Sequence, residues 1–83
     1  STSEVEGALL SHHFVCEAAV VGSHESGQDQ LIAFIVPSDD QEEGNKQSNR
    51  DRAIEELKTW LAETMGTCFV PDRIVPMTAL PRT

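Results

Sequence analysis

Three side chains with metal and acid–base chemistry sit close together in "HHFVC": His12, His13 and Cys16. A closed zinc site needs four ligands with good geometry. The further His and Cys residues, His24 and Cys68, lie outside that cluster, so the residues predict no metal site. Cys16 or Cys68 could serve as a nucleophile, or the two could pair as a disulfide. A nucleophile needs an adjacent base held by a third group, and no such arrangement is evident, so both are expected to be free, buried thiols. The stretch "GSHESGQD" is glycine-containing but leads into an apolar run and has no Walker lysine. It is therefore not expected to cradle phosphate, which needs a loop that opens a helix. The acidic run Asp39–Glu43 lacks the ligand spacing of an EF-hand and reads as a solvated loop. No catalytic, cofactor-binding or metal-ligating residue is assigned within the chain on these grounds.

The elements that would position these groups follow from periodicity. "STSEVEGALLSHH" predicts a first helix, with Val5, Ala8 and Leu9 on one face. Ser3 can cap it, and Glu6 stands at the capping-box spacing. The two histidines fall at its last turn or exit, where His complements the helix dipole. "CEAAVVG" predicts a strand ending at Gly22, followed by a polar loop and a second strand, "LIAFIV", bounded by Pro37. The second strand is apolar at every position. It suits a strand covered on both faces, or a half-buried one with an apolar outer face. Strand, loop and strand suggest an antiparallel pair, although the sequence carries no two-residue hairpin signal. Residues 37–50 are almost without apolar side chains and predict a mobile acidic loop.

"DRAIEELKTWLAETMG" predicts a second helix with a stripe of Ile54, Leu57, Leu61 and Met65. Ser48 or Asn49 can cap it and Gly66 is a natural residue just past its end. Trp60 lies off that stripe, at its margin or as an anchor on a surface that meets another domain. "DRIVPM" predicts one short strand, placed at a sheet edge because Pro76 has no N–H. The fold class is therefore α+β: a three-stranded sheet with two helices, in the order α-β-β-α-β.

With 83 residues the chain is one small domain (1–83). Its net charge of -8 argues against a nucleic-acid-binding face, which needs clustered Lys and Arg. The acidity is uneven: residues 1–50 hold nine Asp/Glu against two Lys/Arg, and residues 51–83 five against four. No apolar run approaches the roughly 20 residues that span a bilayer, so no membrane partner is expected. Sparse cysteines suit a cytoplasmic protein with reduced thiols.

The segments "SEVEGALLSHHFVCEAAVVG", "QLIAFIVP", "ELKTWLAETM" and "FVPDRIVPMTALPRT", in that order, resemble the small C-terminal lid subdomain of the adenylate-forming enzymes. That superfamily includes acyl-CoA synthetases, nonribosomal peptide synthetase adenylation domains and luciferase. Most of these segments look like either of the first two branches; Phe69-Val70-Pro71 looks more like the peptide synthetases. The resemblance implies a parent enzyme that uses ATP and Mg to turn a carboxylate into an acyl-adenylate. The acyl group then passes to the thiol of CoA or of a carrier protein's phosphopantetheine arm. It implies a large N-terminal adenylation subdomain as partner, with this lid rotating upon it between the two half-reactions. It also places the family's catalytic lysine, in a Gly-Lys pair, beyond the Leu80–Thr83 segment. No catalytic residue is thus expected among these 83, the segment alone should be inactive, and Leu80–Thr83 should be mobile. The alternative is a non-catalytic interaction module built on the same fold.

Overall fold

The computed structural model describes residues 2–25, 27–38 and 47–81. Two helices and three strands follow the expected order: α1 (Thr2–Leu10), β1 (Val15–Glu25), β2 (Gln28–Pro37), α2 (Gln47–Met65) and β3 (Arg73–Pro76), with a short 3-10 turn at Thr67–Phe69 before β3. The acidic run Asp39–Glu43, like Arg82 and Thr83, lies outside the described residues.

α1 has nine residues, fewer than an isolated helix needs for stability in water, so packing must hold it. Val5 and Leu9 supply that packing and are almost wholly buried. Glu6 does not complete a capping box. Its Oε2 accepts a hydrogen bond from the Val20 N–H at 2.8 Å, across 14 residues of sequence. The capping spacing misled because the helix begins at Thr2, which puts Ser3 inside its first turn. Glu6 therefore faces β1 and ties the helix to the sheet.

β1 and β2 form an antiparallel hairpin whose pairing runs from Val15↔Pro37 to Glu25↔Gln28. The expected polar loop is instead strand on both sides, and two residues separate the paired ends. Gly27 holds φ at 74°, the left-handed conformation such a tight turn requires. Composition misled at this point. Beyond the core, paired strands have no apolar surface to bury, so polar residues such as Ser23, His24, Asp29 and Gln30 fill them.

β3 joins β2 in parallel, Ala33 opposite Ile74, giving the strand order β1-β2-β3. A parallel partner needs a crossover, and α2 provides it. Pro76 ends an edge strand, as its missing N–H demands. α2 starts four residues before the expected Asp51, so residues 47–50 are helix rather than loop. Ser48 and Asn49 thus sit within the helix, not before it; their side chains lie outside the described residues. Gly66 follows the helix at φ 100° and ψ 156°, a region essentially closed to other residues. Its N–H still closes the last turn onto the Ala62 carbonyl at 3.0 Å.

The core lies on one side of the sheet. Val20, Ala33, Ile35 and Ile74 meet Val5 and Leu9 of α1 and Leu57 and Leu61 of α2, with Phe14 and Val15 closing the cluster. A bulge at Cys16, between the pairs Val15↔Pro37 and Glu17↔Val36, shifts the alternation by one residue. That shift keeps both Val15 and Val20 facing the helices. The residues of opposite parity form a second face: Ala19, Val21, Ile32, Phe34, Val36 and Val75, with the polar Glu17, Ser23, Gln30 and Arg73 around them. None of them belongs to the core cluster or packs against it. β2 is therefore the half-buried strand with an apolar outer face.

One clasp fixes β3 beside β2. The Asp72 N–H donates to the Leu31 carbonyl at 2.8 Å, and the Leu31 N–H donates to Asp72 Oδ2 at 2.8 Å. Met77 N–H donates to the Ile35 carbonyl at 2.7 Å at the other end of the strand.

Candidate functional site

The residues with chemical potential are distributed over three places. The first is the exit of α1. The Phe14 N–H donates to His12 Nδ1 at 3.1 Å, so this nitrogen is the unprotonated one. The His12 ring stacks on His13 with centroids 4.6 Å apart and meets Trp60 of α2 edge-on at 5.0 Å. Burial, then repulsion from His13, holds His12 below the ordinary imidazole range, against an opposing pull from Glu56. A neutral ring that accepts a backbone bond and packs against Trp60 of α2 is a packing device. Cys16 does not join it: the bulge turns this residue out to solvent.

The second place is a groove of about 640 Å³ at the hairpin end, lined in part by Gly22, His24, Asp29, Thr67, Cys68 and Asp72. His24 Nδ1 and Asp29 Oδ1 are 2.7 Å apart across the strand pair, both largely exposed. Exposed pairs of this kind contribute little to stability. Cys68 stands in the 3-10 turn with its thiol exposed. Both cysteines are free and exposed rather than buried. One sits on a bulge and the other in a single turn, and neither position faces the core.

The third is a shallow depression on α2, lined by Arg52, Glu55, Glu56, Thr59, Trp60 and Glu63. Trp60 is half-buried and packs against the core margin, with one edge on the surface. Among the described residues, no group of three or more His, Cys, Asp or Glu is placed to hold a metal ion. None of the described helices is long and apolar enough to cross a membrane.

Neither groove suits a polyphosphate. Asp29 and Asp72 line the first, three glutamates and one arginine the second, and like charge repels the phosphates of ATP or CoA. No contact to either molecule is assigned to this chain. Two groups with long-range roles were invisible in the sequence. Glu6 reaches Val20 and Asp72 reaches Leu31 across 14 and 41 residues, distances that leave no local pattern.

Comparison with known proteins supplies what the side chains do not. The model of the AMP-binding enzyme C-terminal domain matches residues 4–83. An acetyl-coenzyme A synthetase of Streptomyces avermitilis is 37% identical over 84 residues, a match to 100% of this chain and 12% of that enzyme. The acetyl-coenzyme A synthetase of Rhodopirellula baltica is 42% identical over 83 residues, again 100% of the chain and 12% of the enzyme. Among solved structures, a benzoate CoA ligase from Burkholderia xenovorans superimposes with a TM-score of 0.81 at 34% identity, over 100% of this chain and 16% of its own. An acyl-CoA synthetase of Brucella canis gives a TM-score of 0.80 at 29% identity, over 99% of this chain and 14% of its own.

Proposed function

The chain belongs to the AMP-binding enzyme C-terminal domain family, and from that premise we propose that it is the lid of a longer acyl-CoA synthetase. It spans only 12% of the acetyl-coenzyme A synthetases it matches, so the activity belongs to an assembly of which this is a small part. In this proposal the parent activates a carboxylate with ATP as the acyl-adenylate and passes the acyl group to CoA. CoA is preferred over a carrier protein because the relatives and structural neighbours above are named for CoA chemistry. This outweighs the leaning of Phe69-Val70-Pro71 toward the peptide synthetases.

What this chain contributes is a small body with one helix-packed core, able to move as a unit. A lid of that kind excludes water and completes a site during one half-reaction, then clears a path for the thiol in the next. The observation that carries the proposal is the match across residues 4–83 in a segment where no catalytic constellation is assigned. The test is carboxylate-dependent exchange of pyrophosphate into ATP by the full-length polypeptide, followed by CoA-dependent thioester formation across short-chain and aromatic acids. Exchange and thioester formation are expected from the full-length protein, and neither from the 83-residue chain. A full-length protein that exchanges no pyrophosphate with any acid would overturn the proposal in favour of a docking module. Exchange with transfer only to a carrier protein would return it to the peptide-synthetase branch.

A further inference from the structure

We infer that Glu6 keeps shut a latent pairing edge on β1, and that the partner it excludes is the β1 edge of a second copy of this chain. Among the described residues, the strand order β1-β2-β3 leaves two edges with no strand across them. Such an edge is a row of backbone N–H and C=O groups ready to take another strand. The two edges are not equal. β3 has four residues and ends at Pro76, so it offers a short ladder with one donor missing. β1 has eleven residues and no proline. It is the edge that needs a guard.

Alternation identifies the groups on its outer side. In an antiparallel pair, backbone amides point by turns toward the partner strand and away from it. The Val20 N–H donates to Glu6 Oε2 at 2.8 Å, so the Val20 amide points away from β2. Ala18 and Gly22, two positions to either side, point the same way by that alternation. Glu6 is thus seated on the middle of three outward amides. A carboxylate accepts hydrogen bonds and donates none. An arriving strand would bring its own carbonyl toward the Val20 N–H, find the place filled, and meet negative charge with a carbonyl dipole. Glu6 cannot simply swing aside with its helix, because Val5 and Leu9 bury α1 against the sheet. The bulge at Cys16 limits the same edge from its other end. A second copy fits the edge because two β1 strands, antiparallel about a two-fold axis, offer each other the same groups.

Sedimentation velocity of the full-length polypeptide over a range of concentrations, with amide exchange on the same samples, tests this. The net charge of -8 on each copy opposes pairing. The measurement therefore uses about 0.15 M salt, where screening confines that repulsion to about 8 Å. Glu6→Ala should gain, with rising concentration, a species of twice the wild-type mass. In that species the amides of residues 18–22 should exchange at least about fivefold more slowly, as newly made backbone bonds require. Adding Gly22→Pro removes an outward donor and places a ring on the edge, so the doubled species should disappear. Ile74→Val, which thins the buried core by one methylene and leaves Glu6 in place, should sediment as the wild type. Glu6→Ala sedimenting as the wild type overturns the inference. A doubled species that survives Gly22→Pro also overturns it, since the contact then lies elsewhere. The same species in Ile74→Val overturns it too, because lost stability and not an open edge would be the cause.

Discussion

The two faces of one strand differ more than any two elements of this protein. On β2, Ala33 and Ile35 are sealed beneath α1 and α2, while Ile32, Phe34 and Val36, their immediate neighbours, point to the other side. Side-chain chemistry does not separate the two sets, since both are aliphatic or aromatic. What separates them is which side the helices occupy. A hydrophobic sequence therefore specifies that a strand is buried somewhere, while the crossing elements specify where.

Ile35→Ala should have the largest effect. It deletes a fully buried side chain and should destabilise the 83-residue chain by about 2–5 kcal/mol in chemical denaturation. Ile32→Ala, three residues away, should cost the same chain less than about 1 kcal/mol, as expected for a partly exposed position. Equal losses would break the distinction between the faces.

Gly66→Ala comes next. The backbone conformation there is closed to a Cβ, so a loss of about 1–3 kcal/mol is expected. No neighbour lies within 4 Å of the added methyl, so a loss would report backbone strain and not a clash. Glu6→Ala should cost about 1 kcal/mol, as a part-buried charged acceptor for the Val20 amide. Faster hydrogen exchange at Val20 would locate the loss on the helix-covered side.

The smallest effect concerns pH. His12 is held below its ordinary value in the folded chain, so the unfolded chain takes up a proton first as pH falls. Stability should be fully present above pH 6.5 and decline as pH drops through 6.5 toward the folded value. The midpoint of denaturation, compared between the wild type and His12→Gln from pH 8 to about 5.5, should show that decline only in the wild type.

Much of the architecture was legible because period and burial coincide. The Ile54–Met65 stripe and the proline at Pro76 each carry one physical meaning. The failures share a different cause. The hairpin was read as a loop because its polar residues lie past the core, where pairing and not burial holds strands together. The buried-thiol expectation failed because one bulge decided the direction of Cys16, and no spacing rule announces a bulge. The functional reading came from the ordered likeness of whole segments. The side chains alone assigned no reaction.

The Asp72–Leu31 clasp has a consequence for how the molecule comes apart. β3 has four residues, and its pairing spans 41 positions of chain, so the loop-closure entropy set against it is larger than for the hairpin. β3 should then open as its own sub-global unit while β1 and β2 stay paired. The Leu31 amide donates to Asp72 Oδ2 at that point, which makes its exchange rate a single-residue gauge of that opening.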